Sequence, residues 1–147
     1  MKKKIVFITG TRADFSKIKS VIQRLLSTNF EIKIFVTGMH LDRKYGYTIN
    51  ELKKNFSNKI LYKFLNYKRG QSQDIILANT INGFNKLLYK FRPNIVVVHG
   101  DRIEALAGAI SASLNNFLTM HIEGGELTGT IDEHLRHSIS KLSHLHI

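Results

Sequence analysis

The sequence predicts an α/β fold in which a parallel sheet is covered by helices on both faces. Three observations point to it. Short β-branched segments alternate with helical segments along the chain, as in βαβ units. The apolar runs at residues 95–98 and 117–120 have the length and composition of buried parallel strands. No linker, internal repeat or low-complexity tract interrupts the pattern, so residues 1–147 are expected to form one domain.

The first five predicted elements alternate between strand and helix. Residues 4–9 are rich in β-branched side chains and predict a strand, and residues 15–26 place apolar side chains at helical spacing. Residues 30–37 have the composition of a second strand and lead into a loop. Residues 47–55 are expected to form a short helix, and residues 59–65 a third strand.

The second half of the chain continues the alternation with a long helix. Residues 72–91 carry a wide apolar stripe, Ser72 is a suitable N-cap, and Pro93 ends the helix. The remaining predicted elements are a strand at 95–98, a helix at 102–114 whose small residues allow close packing on a sheet, a strand at 117–122, a helix at 131–142, and a terminal segment of strand character at 144–147.

Composition excludes several classes of site and partner. The chain has no cysteine, which rules out disulfides and thiolate metal sites. Its apolar runs are shorter than a membrane span, and residues 5–8 are too short for the core of a signal peptide, so we expect a cytoplasmic protein without a membrane partner. The net charge of +11 would suit a nucleic acid, but no nucleic-acid-binding module is recognisable. We attribute most of the excess lysine to an AT-rich coding sequence, because Lys, Asn and Ile are abundant together.

The turn between the first strand and the first helix has the chemistry of a phosphate site. Gly10 allows a tight turn and a close approach of the backbone, and a helix N-terminus offers free N–H groups with a partial positive charge. Arg12 adds a planar fork suited to phosphate oxygens, and Lys17 lies further along the helix. An ordinary strand–helix turn with an exposed arginine explains the same residues equally well, so both interpretations stay open.

Two carboxylates follow neighbouring predicted strands. Asp101 comes after the strand at 95–98, and Glu123 after the strand at 117–122. Ligands of open parallel sheets bind outside the carboxyl ends of the strands. Either carboxyl could act there as a general acid or base once burial or a neighbouring charge raises its pKa. Asp101 could instead cap the following helix, whereas no structural task is apparent for Glu123.

A further acidic pair, Asp132 and Glu133, opens the last predicted helix. Both side chains would suit the positive end of the helix dipole, which is a structural alternative to chemistry. The convergence of this pair with the two carboxylates after the strands favours a site. Arg136 and His137, one turn further along, are expected to support the carboxylates.

Several pairs at two-residue spacing place potential metal ligands on one side of a strand, among them His99 with Asp101, and His121 with Glu123. The chain has seven histidines, and this spacing arises easily by chance in such a chain. No metal site is therefore predicted.

Five motifs in matching order resemble a known family. They are GTRADFSK at residues 10–17, TGMHL at 37–41, HGDRIEA at 99–105, HIEGGE at 121–126, and IDEHLRH at 131–137 with KLSH at 141–144. The set resembles the hydrolysing UDP-N-acetylglucosamine 2-epimerases, in the branch that makes N-acetylmannosamine for bacterial sialic acid. The resemblance runs from Ile5 to the last residue. It implies a Rossmann-like amino-terminal domain of a GT-B-like architecture, in which the nucleotide sugar binds between two domains.

The resemblance also implies site residues and a reaction. The implied substrate-binding residues are Gly10, Arg12, Lys17 and Arg136, with Arg12 and Lys17 near the diphosphate. The implied catalytic residues are Asp101, Glu123, Asp132 and Glu133. The reaction would eliminate UDP across C1–C2 to a glycal, which is then hydrated at C1 with inverted stereochemistry at C2. It would use no metal or redox cofactor.

Members of that family carry a second domain, and this chain stops where that half should begin. The complete enzyme is expected to require the carboxy-terminal half, to form a homo-oligomer, and to take UDP-N-acetylglucosamine as its substrate. A non-catalytic fragment that binds nucleotide sugar is the alternative. The nucleotide, UDP or GDP, and the later pathway, sialic acid or a related nonulosonate, stay open.

Overall fold

Strands and helices alternate along the chain in a computed structural model that describes residues 2–125, 127 and 129–147. The strands are β1 (Lys3–Thr9), β2 (Phe30–Val36), β3 (Leu61–Lys63), β4 (Ile95–His99), β5 (Leu118–Ile122) and β6 (Leu145–His146). The helices are α1 (Arg12–Leu26), α2 (Ile49–Asn55), α3 (Gln73–Phe91), α4 (Ile103–Leu114) and α5 (Ile131–Leu142), with short 3-10 turns at Gly38–Leu41 and Arg43–Tyr45.

The strands form a six-stranded parallel sheet in the order β3-β2-β1-β4-β5-β6. The chain builds outward in one direction from β1 and in the other from β4, so the strand order reverses between these two neighbours. In open α/β sheets, ligands bind in the crevice at such a reversal, outside the carboxyl ends of the strands. The loops after β1, β4 and β5 all open at this edge of the sheet.

Two apolar cores lie on opposite faces of the sheet. Val6 and Ile8 of β1 contribute to the core formed with α3, α4 and α5. Ile5 and Phe7 of the same strand contribute to the core formed with α1 and α2. This alternation follows from the two-residue period of a strand, and burying side chains of this size stabilises the fold by about 1.5–3 kcal/mol each. The predicted sheet with helices on both faces is confirmed.

The small residues of α4 let this helix lie close to the sheet, as predicted. A Cβ atom at Gly108 would lie 2.9 Å from Val98 Cγ1 and 3.1 Å from Ile8 Cγ2. A larger side chain at this position would push α4 away from β4 and β1. The close packing keeps the first turn of α4 beside the crevice at the strand reversal.

Two elements differ most from the sequence prediction. Helix α1 begins at Arg12 instead of near residue 15, because Thr11 and Asp14 form a capping box. The Asp14 N–H donates to Thr11 Oγ1 at 3.2 Å, and the Thr11 N–H donates to Asp14 Oδ2 at 3.1 Å. Strand β3 is shorter than the predicted 59–65, because only Leu61–Lys63 pairs with β2.

The long helix α3 agrees with the prediction at both ends. Ser72 occupies the N-cap position, although its side chain makes no capping hydrogen bond to the helix. The helix ends at Phe91, where Arg92 adopts a left-handed conformation with φ of 51° ahead of Pro93. None of the helices in the described part of the chain is both long enough and apolar enough to cross a membrane.

Candidate functional site

The predicted site residues lie on the loops after β1, β4 and β5 and on the first two turns of α1 and α5. Asp101 and Glu123 follow adjacent strands, as predicted. His99 of β4 pairs with Ile122 of β5, and the Gly100 N–H donates to the Ile122 carbonyl at 3.0 Å. This pairing brings the segments that carry the two carboxylates to the same edge of the sheet.

Glu123 lies between two nitrogen-bearing partners. Lys17 Nζ donates to Glu123 Oε1 at 3.1 Å, and His99 Nε2 lies 3.1 Å from Glu123 Oε2. The backbone of Glu123 has a φ of 58°, a left-handed conformation that residues other than glycine seldom adopt. The hydrogen bond from Lys17 lowers the pKa of Glu123, and the charge of His99 adds to this effect. The raised pKa expected of a catalytic carboxyl is therefore not found at Glu123, which is held in its ionised form.

Asp101 pairs with an arginine buried in α5. Arg136 Nη2 donates to Asp101 Oδ2 at 2.5 Å, and the Arg136 side chain is 2% exposed. The N-cap of α4 is Arg102, so the alternative interpretation of Asp101 as a helix cap is wrong. The contact confirms that Arg136 supports a carboxylate, whereas its role in substrate binding stays a prediction.

The two acidic residues at the start of α5 lie in different environments. Asp132 is exposed and lines a cavity of about 580 Å³. Glu133 accepts a hydrogen bond from the Gly129 N–H at 2.6 Å and lies 3.4 Å from His137 Nε2. The His137 contact confirms the predicted support of a carboxylate, and the Gly129 contact gives Glu133 a structural task ahead of the helix.

Arg12 and Lys17 both lie on α1 but contact different elements. The Arg12 side chain is 74% exposed, and its Nε lies 3.2 Å from Glu51 Oε2 of α2. Lys17 contacts Glu123 instead, so the two cations have different partners in the structure. Both side chains can change partners at small cost, because an exposed ion pair stabilises a protein by only about 0–1 kcal/mol. Their role at a diphosphate stays a prediction.

Glu104 is a buried carboxyl group that the sequence did not single out as a site residue. It lies in the first turn of α4, is 7% exposed, and fills the crevice at the strand reversal. Burial raises the pKa of Glu104, and Arg102, whose Nε is 3.7 Å from Glu104 Oε2, opposes the rise only in part. The pKa of Glu104 is thus shifted in the opposite direction to the pKa of Glu123.

The buried carboxyl group of Glu104 explains why position 10 is a glycine. A Cβ atom at Gly10 would lie 2.7 Å from Glu104 Cδ, and one at Gly38 would lie 2.7 Å from Glu104 Oε1. The close approach predicted at Gly10 is therefore made by the Glu104 side chain, while a phosphate contact there stays a prediction. The sequence contained a signal for this contact, because a glycine follows each of β1 and β2 and a glutamate lies in the first turn of α4.

The cavity lined by Asp132 extends to Glu104 at the crevice. Arg102 adds a cation to its wall, and Met39 and Leu135 are among its apolar residues. Apolar walls with a few convergent polar groups are typical of small-molecule sites.

The histidines at this edge of the sheet have protein partners. His121 Nδ1 lies 2.9 Å from Ser140 Oγ, its Nε2 lies 2.7 Å from the Gly100 carbonyl oxygen, and burial lowers its pKa. Within residues 2–125, 127 and 129–147, no group of three His, Asp or Glu side chains is placed to hold a metal ion. Glu126, which belongs to the predicted acidic motif, lies outside the described residues.

Comparison with known proteins identifies the family. Residues 23–147 match a family model described as UDP-N-acetylglucosamine 2-epimerase. The chain belongs to the UDP-N-acetylglucosamine 2-epimerase family. This result confirms the family resemblance seen in the sequence motifs.

Two curated relatives match almost the whole chain. The UDP-N-acetylglucosamine 2-epimerase of Neisseria meningitidis serogroup B is 45% identical over 147 residues, which cover 99% of this chain and 38% of that protein. The UDP-N,N'-diacetylbacillosamine 2-epimerase (hydrolyzing) of Legionella pneumophila is 42% identical over 149 residues, which cover 99% of this chain and 40% of that protein. The chain thus spans about two fifths of the length of these family members.

A solved structure from the same family shares the fold. The crystal structure of a Neisseria meningitidis UDP-GlcNAc 2-epimerase bound to UDP-GlcNAc has a TM-score of 0.84 and 28% identity, and covers 98% of this chain and 39% of that chain. Together with the strand order, this likeness confirms a Rossmann-like sheet that corresponds to the amino-terminal domain of a GT-B-like architecture.

Proposed function

We propose that this chain is the amino-terminal part of a hydrolysing UDP-N-acetylglucosamine 2-epimerase, which converts UDP-N-acetylglucosamine and water to N-acetylmannosamine and UDP. The observation that carries the proposal is the contact of Lys17 with Glu123 at the carboxyl edge of the sheet. It joins a cation able to bind phosphate to a carboxylate able to move a proton. Because the chain spans about two fifths of its relatives, the activity is proposed for the chain together with the remaining part.

In the proposed first step, Glu123 removes the C2 proton while UDP leaves from C1. Glu123 suits a base because its lowered pKa keeps it ionised. The hydrogen bond from Lys17 that lowers this pKa also weakens the base. Binding of the substrate diphosphate by Lys17 would withdraw that hydrogen bond and so make Glu123 more basic when substrate is present.

The departing UDP gains negative charge during this step. Arg12 and the N-terminus of α1 lie after β1, at the edge where ligands of such sheets bind. A guanidinium and a helix N-terminus both stabilise phosphate charge, so they would lower the barrier to departure. The Glu51 contact of Arg12 is exposed and therefore weak enough for a diphosphate to replace.

In the proposed second step, the glycal is protonated at C2 and water adds at C1. We assign this work to Asp101 and Asp132, with Glu133 assisting at the start of α5. Arg136 holds Asp101 in place, and Asp132 faces the cavity that also contains Glu104. The steps need only acid–base groups and cations of the protein, and no metal or redox cofactor enters the proposal.

Product analysis tests the reaction type. UDP-N-acetylglucosamine is incubated with the chain alone and with the chain plus a carboxy-terminal half, and the UDP and sugar products are separated. We expect free N-acetylmannosamine and UDP only when both halves are present. UDP-N-acetylmannosamine as the product would contradict the hydrolysing reaction. Binding of UDP-N-acetylglucosamine without turnover in the combined protein would favour a nucleotide-sugar-binding module.

We also propose that the product feeds synthesis of sialic acid or a related nonulosonate. The motif resemblance to the branch that makes N-acetylmannosamine supports this, and the hydrolyzing designation of the Legionella relative supports the reaction subtype. The same assay with the GDP sugar tests the choice of nucleotide, and faster turnover of the GDP sugar would contradict the proposed substrate.

A further inference from the structure

His99 lies between two carboxylates at the edge of the sheet. Its Nε2 is 3.1 Å from Glu123 Oε2, and its Nδ1 is 3.7 Å from Asp14 Oδ1. The first contact is a hydrogen bond, and the second is slightly beyond hydrogen-bond range and acts through charge. Because both ring nitrogens face a carboxylate, a ring protonated on both nitrogens suits this position better than either neutral tautomer.

The surroundings of the ring favour its charged form. The His99 side chain is 9% exposed, and its Nδ1 has no hydrogen-bond partner among the residues that the structure describes. Burial alone would lower the pKa of His99, but Asp14 and Glu123 outweigh burial and raise the pKa. Other titratable groups also act on this cluster. Lys17 shares Glu123, His121 of β5 interacts with the charge of His99, and His40 and Glu104 interact with the charge of Asp14.

Both carboxylates are held by their own backbone contacts. Asp14 Oδ2 accepts the Thr11 N–H in the capping box of α1, while Oδ1 of the same carboxylate is the atom nearer to His99. The Glu123 N–H donates to the Ile147 carbonyl at 2.8 Å, and the backbone of Glu123 keeps the left-handed φ of 58°. Three segments that are distant in sequence are thereby fixed around one imidazole ring.

We propose that Asp14, His99 and Glu123 form a carboxylate–imidazolium–carboxylate array in which His99 is a positioning residue for Glu123. The chemical role of Glu123 rests on the proposed function, whereas the array itself does not. His99 orients the Glu123 carboxylate through Nε2–H, and Asp14 compensates the charge of the ring. When a diphosphate draws Lys17 away, His99 still holds Glu123 in place.

The net charge of the array changes from −1 to zero when Glu123 accepts a proton. Before the transfer, Asp14 and Glu123 each carry one negative charge and His99 one positive charge. After Glu123 accepts a proton, the pair of Asp14 and His99 remains neutral as a whole. The ring therefore keeps its proton, and its task is to orient the base.

NMR titration of the 147-residue chain tests the array without any turnover. Side-chain ¹³C shifts follow the ionisation of Glu123, and ring ¹⁵N shifts follow the charge of His99. His99→Gln keeps a donor near Glu123 but removes the positive charge, so the Glu123 midpoint should move to higher pH. Asp14→Asn should move the His99 midpoint to lower pH. His137→Gln, which also removes a histidine beside a glutamate, is the matched control and should leave the Glu123 midpoint unchanged.

Two results would overturn the array. One is a Glu123 midpoint that does not move in His99→Gln, and the other is a neutral His99 ring at neutral pH in the unmodified chain. If His99→Gln does not fold, Asp14→Asn provides the test, because Asp14 lies beside the other nitrogen of the His99 ring. An unchanged His99 midpoint in that variant contradicts the array.

Kinetics of the complete enzyme separate positioning from binding. His99→Gln should lower kcat by about tenfold or more with little change in KM, because a misplaced base slows the proton transfer. In the pH profile of kcat for His99→Gln, the acidic limb should move to higher pH together with the titration midpoint of Glu123. A higher KM of His99→Gln with an unchanged kcat would overturn the positioning role. No turnover by the unmodified complete enzyme would contradict the proposed function and leave the NMR result standing.

Discussion

Two glutamates near the strand reversal have opposite electrostatic environments. Glu123 is 40% exposed and contacts Lys17 and His99, which lower its pKa. Glu104 is nearly buried, and burial raises its pKa. Pairs of titratable groups whose environments push their pKa values apart are typical of sites that perform acid–base chemistry. At the scale of single residues, this contrast supports Glu123 as the ionised partner and Glu104 as the carboxyl group that holds a proton to higher pH.

Arg12→Ala should weaken binding of UDP to the complete protein while leaving the melting temperature nearly unchanged. The side chain is 74% exposed and forms a surface ion pair with Glu51, so its loss costs the fold at most about 1 kcal/mol. Calorimetric titration with UDP and thermal unfolding measure the two quantities. Arg24→Ala, at an exposed position in the last turn of the same helix, is the control. Unchanged affinity with a lower melting temperature would make Arg12 structural.

Glu104→Gln should remove a pH dependence of stability. The folded-state pKa of Glu104 is raised above its ordinary value of 4.5, so the folded protein binds more protons than the unfolded chain between the two values. The free energy of unfolding of the unmodified chain must then fall as pH rises through this window, and the neutral glutamine lacks that fall.

Urea unfolding over a pH series measures this effect. The stability of Glu104→Gln relative to the unmodified chain should increase as pH rises from 4.5. Glu31→Gln, at an exposed position on β2, is the matched control. A stability difference between Glu104→Gln and the unmodified chain that stays constant with pH would contradict a raised pKa of Glu104.

At the scale of elements, the site is assembled by contacts between loops that follow different strands. Glu104 of α4 fills the space left by glycines after β1 and β2, and Arg136 ties α5 to the end of β4. Lys17 joins α1 to the end of β5 through a hydrogen bond between residues 106 positions apart. These contacts fix the relative positions of the loops.

Gly10→Ala should destabilise the chain by about 1–3 kcal/mol, because the new Cβ atom overlaps the Glu104 carboxyl group. Adding Glu104→Ala in the same chain should recover part of this loss, with a coupling of about 0.5–3 kcal/mol between the two sites. Denaturant unfolding of the two single variants and the double variant measures the coupling. Gly125→Ala, where a Cβ atom has no neighbour within 4 Å, is the control. Strictly additive effects would contradict the packing of Glu104 against Gly10.

At the scale of the whole molecule, the sequence predicted the sheet and the strand ends that carry the carboxylates. Hydrophobic periodicity located all the long elements, and the adjacency of Asp101 and Glu123 followed from consecutive parallel strands. The periodicity could not predict that α4 inserts Glu104 beneath Gly10, or that His99 lies between Asp14 and Glu123. Both arrangements depend on contacts between segments distant in sequence, which local patterns do not encode. The capping box that starts α1 at Arg12 was a local signal, present in Thr11 and Asp14.

Turnover of UDP-N-acetylglucosamine by a complete protein that carries Glu123→Gln tests the central claim most directly. The amide keeps the shape of the side chain but cannot accept the C2 proton, so UDP release should fall by about a hundredfold or more relative to the unmodified protein. Binding of UDP, measured in parallel on the same variant, shows whether the site is still formed. Near-normal turnover by Glu123→Gln would contradict the account, and Glu123 would then be a structural partner of Lys17 and His99.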